Sequence, residues 1–178
     1  MKALLLSFSV GLVAALQAQA FPASSEEPQD VSGKWYLKAT AYNVAIPEKK
    51  LEPLSVTPVT IKTLEGGNLQ VKVTVLVAGH CREMNTILEK TDEPGKYTTY
   101  GGQHVVYIVK SPVEDHYIFY YAGEMRGHEI QMAKLVGRDR NINEEALEDF
   151  KNAAGARGLN TENIFIPKQA ETCSPGTN

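Results

Sequence analysis

The chain has 178 residues, 43% hydrophobic and 22% charged, a globular composition that excludes a disordered or fibrous polymer and leaves room for one domain. Asp and Glu outnumber Lys and Arg by 21 to 18, and the net charge of −3 gives a nucleic-acid backbone little to hold. Two cysteines are too few for a disulfide scaffold or a thiolate zinc site.

The chain opens with Met1-Lys2, a short basic start, followed by a run from Ala3 to Leu16 that is apolar except at Ser7 and Ser9. It ends in Ala18-Gln19-Ala20, a small-x-small pattern with Phe21 next. This apolar core is shorter than the ~20 residues a membrane span needs. The pattern predicts a secretory leader over residues 1–20, cut after Ala20 or after Ala18, and a single domain over 21–178 with no stable membrane insertion. Export to an oxidising compartment makes the only two cysteines, Cys81 and Cys173, a predicted disulfide.

Short alternating segments separated by turn residues then predict eight strands. They run from Trp35 to Tyr42, Val56 to Leu64, Asn68 to Val77, Cys81 to Lys90, Lys96 to Tyr100, Gln103 to Lys110, His116 to Met125 and His128 to Val136. The clearest is the third, with Leu69, Val71, Val73, Val75 and Val77 on one face and Gln70, Lys72 and Thr74 on the other. Mostly hairpin connections predict an all-β, antiparallel up-and-down barrel, whose closure removes exposed edges. Beyond it the period changes: Leu147, Phe150 and Ala154 form a helical stripe, with Asn141 or Asn143 as cap and Gly158 as stop. This one C-terminal helix is expected to pack outside the barrel, and Asn163 to Ile166 to form one more short strand.

Strand parity selects the faces that would line the barrel. The first half contributes Leu37, Ala39 and Ala41, then Val59 and Ile61, then Val71, Val73 and Val75. The second contributes Met84, Thr86 and Leu88, then His104, Val106 and Ile108, then Tyr117, Phe119 and Tyr121, then Ile130 and Met132. Lys134 shares the parity of Met132; its ammonium either enters the barrel to meet a ligand carboxylate or snorkels to solvent. Enzyme motifs are absent: there is no Gly-x-Ser-x-Gly, His-Glu-x-x-His or phosphate loop. His80, His104, His116 and His128 match no metal-ligand spacing, and Glu148-Asp149 point ~100° apart on their helix. Neither an enzyme nor a cofactor is expected.

Three short motifs carry a resemblance. Gly33-Lys34-Trp35 stands at the entry to the first strand, Asp115-His116-Tyr117 at the entry to the seventh, and Gly137-Arg138-Asp139 follows the eighth. In order and spacing they are similar to the signatures of the lipocalin family, although His116 replaces the usual acid and the Asp-Tyr spacing is one residue longer. The resemblance implies a lipocalin barrel with a ligand cavity, Trp35 plugging the closed end rather than touching ligand, and Arg138 stacked over it. It also implies secreted carriage of fatty acids, retinol-like lipids and odorant- or tastant-like molecules by a monomer or weak dimer, with delivery to a cell-surface receptor. Lipocalins similar in these segments commonly carry a cysteine where Tyr121 stands. The larger phenol is expected to narrow the cavity toward slimmer or more polar ligands, with His104 or water as partner of its hydroxyl. Leu76-Val77-Ala78-Gly79 resembles the central loop of cystatins, so the alternative function is inhibition of cysteine proteases.

Overall fold

In the computed structural model, residues 30–43, 55–77, 80–125, 127–169 and 173 are described. The predicted leader lies outside them. The elements in chain order are β1 (Gly33–Tyr42), β2 (Ser55–Val56), β3 (Val59–Thr63), β4 (Leu69–Val77), β5 (His80–Lys90), β6 (Lys96–Thr99), β7 (His104–Lys110), β8 (His116–Met125) and β9 (His128–Gly137). Helix α1 (Glu144–Ala156), β10 (Asn160–Phe165) and β11 (Lys168–Gln169) follow.

From β3 to β9 each strand pairs antiparallel with the next, and β1 closes the ring by pairing β3 through its first residues and β9 through the rest. The expected eight-stranded barrel is therefore formed, with α1 outside it. The predicted second strand is broken in two. Pro58 has no N–H for the ladder, and Thr57 replaces the missing pairing: its N–H (2.9 Å) and hydroxyl (3.0 Å) both donate to Thr74 O, and the hydroxyl accepts from Thr74 N (3.1 Å). The late strand is longer than predicted and pairs with β1, while β11 adds a short parallel pairing to β2. Cys81 and Cys173 are bonded, with Cα atoms 5.7 Å apart. Closing a loop of 92 residues, the bond ties the C-terminal segment to the start of β5 and contributes ~2–4 kcal/mol.

The faces of β1 correct the sequence reading. Trp35 and Leu37 pack inside the barrel, but Ala39 and Ala41 belong to a second core with Ile118, Tyr120, Leu135 and the helix residues Leu147 and Phe150. Leu37 opposes Val136 while Ala39 opposes Leu135, so Lys38 is an extra residue, a β-bulge, and every later side chain of β1 changes face. Ala39 and Ala41, predicted to line the barrel, instead seat the helix, and Thr40 and Tyr42 turn inward opposite Lys134 and Met132. Leu37 O, beside the bulge, accepts a hydrogen bond from Gln169 Nε2 (2.6 Å).

Helix α1 follows its sequence signals. The Asn143 side chain accepts from Ala146 N (3.0 Å), and Ala146, Leu147, Phe150 and Ala154 are buried. Gly158 takes a φ of 77°, and Leu159 N and Gly158 N donate to Ala154 O and Gly155 O, ending the helix. Alanines on both sides, Ala39, Ala41 and Ala133 against Ala146 and Ala154, let the helix approach the sheet closely.

Lys38, 2% exposed, points away from the barrel interior and is held by polar partners. Its ammonium donates to Asn141 O, to Asp139 Oδ1 (3.3 Å) and to His116 Nε2 (3.1 Å). An ammonium only donates, so His116 Nε2 is the acceptor and its Nδ1–H donates to Glu114 O (2.8 Å). The hydrogen bond and charge of Lys38 hold the Asp139 carboxyl below its usual range. Gly137 is the floor of this cluster: a Cβ there would stand 2.8 Å from Lys38 Cε and 2.9 Å from His116 Nε2. Gly137→Ala is expected to lower stability by ~1–3 kcal/mol, read as a lower urea midpoint at unchanged m value.

Candidate ligand-binding site

The barrel is sealed at one end. Trp35, 1% exposed, donates from Nε1 to Val31 O (2.8 Å) and meets the Tyr117 ring edge-on at 5.2 Å. The Arg138 guanidinium lies 3.6 Å above the indole and donates to Lys34 O (3.1 Å) and Ser32 O (3.0 Å). Gly33 has a φ of 105°, and a Cβ there would stand 3.0 Å from Arg138 Nη1, so both its backbone and the arginine require a glycine. Above this plug the inner faces pack tightly. Leu37, Val59, Ile61, Leu88, Val106 and Ile108 are all buried in one cluster with Trp35. They form the floor of the interior.

Toward the other end the same faces open. Val73, Val75, Phe119 and Tyr121 pack against the floor but are only partly buried, and Met132 is likewise half-buried. Met84 opposes Val73 across the ladder and so shares its face, yet it is 55% exposed. Of the residues predicted to line the interior, all but Ala39 and Ala41 lie on an inner face by this register, as a buried floor or as accessible upper wall. The sequence reading missed Tyr97 and Thr99, which oppose Val106 and His104, as well as Thr40 and Tyr42. Alternation along β6 signals the first pair; nothing local signals the second, which depends on the bulge.

Two polar features of this largely apolar interior bear on a ligand. Lys134 opposes Phe119 on the inner face, and among the described residues its ammonium has neither a hydrogen bond nor an ion pair. The side chain keeps some accessible surface along the interior but is surrounded by barrel atoms, and that desolvation lowers its pKa. The second feature is a pair: the Tyr121 hydroxyl is hydrogen-bonded to His104 Nδ1, and His104 Nε2 lies 3.1 Å from Glu124 O. His104 thus supplies the partner that the sequence expected for Tyr121. Burial raises the phenol pKa of Tyr121, with Tyr100 adding to the effect. The cystatin-like segment reads differently: Leu76 and Val77 are paired strand residues opposite Cys81 and His80, while Ala78 and Gly79 lie outside the described residues.

A closed antiparallel barrel with a sealed floor, an accessible upper interior and one outer helix is thus the frame of the site. The chain belongs to the Lipocalin / cytosolic fatty-acid binding protein family, which it matches over residues 32–171. It is 67% identical to von Ebner gland protein 2 of Rattus norvegicus over the whole of both chains. It is 54% identical to Lipocalin-1 of Sus scrofa over 100% of this chain and 99% of that one, and 43% identical to Odorant-binding protein 2a of Mus musculus over 97% and 98%. Among solved structures it is similar in fold to the siderocalin Ex-FABP, with a TM-score of 0.71 at 22% identity, covering 80% of this chain and 97% of that one.

The plug is testable because Trp35 is the single tryptophan. Arg138→Ala removes the stacked cation and two hydrogen bonds; it is expected to raise iodide quenching of the indole and to lower stability by ~1–2 kcal/mol in chemical denaturation.

Proposed function

We propose that this protein is a secreted carrier that binds small hydrophobic ligands inside its barrel: fatty acids, other lipids such as retinol, and odorant- or tastant-like molecules. The observation that supports this most directly is the gradient along the inner faces, from a floor in which Trp35 and Ile108 are each 1% exposed to an upper wall at which Met84 is 55% exposed. A barrel that only needed a core would bury its apolar faces along their whole length. Eight strands enclose room for one small ligand. The similarity to an odorant-binding protein agrees with this use. The predicted leader supports secretion, and among the described residues no helix is long and apolar enough to cross a membrane. Such a carrier works without a cofactor, as a monomer or weak dimer that hands its ligand to a cell-surface receptor.

Lys134 gives the interior a preference for acids. A desolvated ammonium without a partner gains most from a carboxylate, which supplies charge and hydrogen-bond acceptors together. Titration calorimetry of a long-chain fatty acid and of the alcohol of equal length tests the carrier role; binding of neither overturns it.

The lowered pKa of Lys134 fixes the pH dependence. Fatty-acid affinity is expected to fall as pH rises through that pKa, because the ammonium is lost, while affinity for the alcohol stays level. Without ligand, the unfolded chain holds this proton more tightly than the folded one up to about pH 10.4, so stability rises with pH across that window. Lys134→Met is expected to abolish both trends and to weaken fatty-acid binding about tenfold relative to the alcohol.

A further inference from the structure

The polar roles of Tyr121 and His104 are fixed by their partners. A carbonyl oxygen only accepts, so His104 Nε2 carries the ring proton and donates it to Glu124 O. Nδ1 of the neutral ring then offers only a lone pair, and the Tyr121 hydroxyl must be the donor in the bond between them. The imidazole is also held in place. Gly123 lies against it, where a Cβ would come within 2.4 Å of His104 Cδ2, and Tyr100 meets the ring edge-on at 4.9 Å. Tyr100 itself sits in the left-handed region with a φ of 51°. Tyr121 has only one proton, and His104 takes it. The phenol oxygen keeps its remaining acceptor capacity beside the interior and has no donor left for a ligand.

Lys134 completes the pattern with the opposite limitation, since an ammonium donates and cannot accept. Phe119 opposes Lys134 and Tyr121 opposes Met132, so Tyr121 and Lys134 are diagonal neighbours on one face of the β8–β9 ladder. Such neighbours stand roughly 7–8 Å apart, within the span of one ligand. The apolar Phe119 and Met132 stand between the two on that face.

We propose that Tyr121, oriented by His104, makes the barrel select lipids that carry a hydroxyl group on the chain in addition to an acid group: hydroxylated fatty acids. The acid meets the Lys134 ammonium and the chain hydroxyl donates to the Tyr121 oxygen. The inference rests on the carrier reading above and refines its ligand class. An unsubstituted chain covers the phenol oxygen with methylenes and leaves it unpaired, and a keto acid offers a second acceptor to an oxygen that can only accept. Tyr121 is the residue that touches ligand; His104 is a positioning residue that withholds the tyrosine proton.

The test is titration calorimetry of the full mature chain with hexadecanoic acid, a series of its hydroxy derivatives with the hydroxyl at successive carbons, and the matching keto acids. At least one hydroxy acid is expected to bind about 3- to 10-fold more tightly than both the plain acid and its keto counterpart, the worth of one hydrogen bond. Tyr121→Phe is expected to erase that preference, so that the hydroxy acid and the plain acid bind within about twofold of each other. His104→Leu returns the phenol proton to the interior, so the ratio of hydroxy-acid to keto-acid affinity is expected to fall to about one. If no hydroxy acid is preferred, or if the preference survives in Tyr121→Phe, the inference is overturned and the carrier role stands. If neither plain nor hydroxylated acid binds, the carrier reading fails, and this inference with it.

Discussion

One extra residue in the first strand governs how the barrel and the helix share a wall. A strand alternates strictly between two faces, so a continuous β1 could line the interior or seat the helix with any given set of residues, but not switch between them. The bulge at Lys38 makes the switch: Trp35 and Leu37 face inward before it, Ala39 and Ala41 face the helix after it. A bulge also leaves ladder groups to be satisfied and an added side chain to be placed. Gln169 bonds the Leu37 carbonyl, and the Lys38 ammonium is spread over Asn141 O, Asp139 and His116. The same ammonium thereby fixes the turn that leads from β9 to the helix.

The closed end depends on that arrangement being rigid. Arg138 follows Gly137 directly, so the lysine cluster on one side of this turn and the indole on the other are set by the same few residues. Gly137 admits Lys38 and His116; Gly33 admits Arg138. A sealed floor then lets the far end of the barrel stay accessible without losing the fold, because closure of the ring through β1, β3 and β9 and the Cys81–Cys173 bond do not rely on filling the upper interior.

Much of this was legible from the chain. Period-two alternation located the eight strands, the Leu147, Phe150 and Ala154 stripe located the helix, and the parity of β8 separated Tyr117, Phe119 and Tyr121 from Ile118 and Tyr120 correctly. What sequence could not show is what breaks periodicity without a turn residue. Lys38 carries no sign that it is an inserted residue, so parity puts Ala39 and Ala41 on the wrong face and passes over Thr40 and Tyr42. Pro58 did carry such a sign, and its missing N–H explains the break between β2 and β3. Parity leaves Lys134 either entering the interior or snorkelling to solvent, and it cannot reveal the isolation of the ammonium, which depends on neighbours from other strands.

The interior groups follow different rules from the wall. Several polar groups that serve the fold are fully partnered: Lys38 has three acceptors, Trp35 Nε1 has Val31 O, and His116 has a partner on each ring nitrogen, whereas Gln169 Oε1 is buried without one among the described residues. Lys134 is the departure, a desolvated cation for which the fold provides no counter-charge among the described residues. A desolvated charge without a counter-charge lowers stability, and a methionine or leucine at that place would relieve the penalty. A local choice that works against stability, set on the same face as a tyrosine whose proton is already committed, is the pattern expected of a site shaped for a ligand rather than for the fold. The two groups are complementary as well as adjacent, one able only to donate and the other only to accept. A ligand that satisfies both must itself carry an acceptor and a donor on an otherwise apolar chain, so the chemistry of the ligand is written in what these two side chains lack.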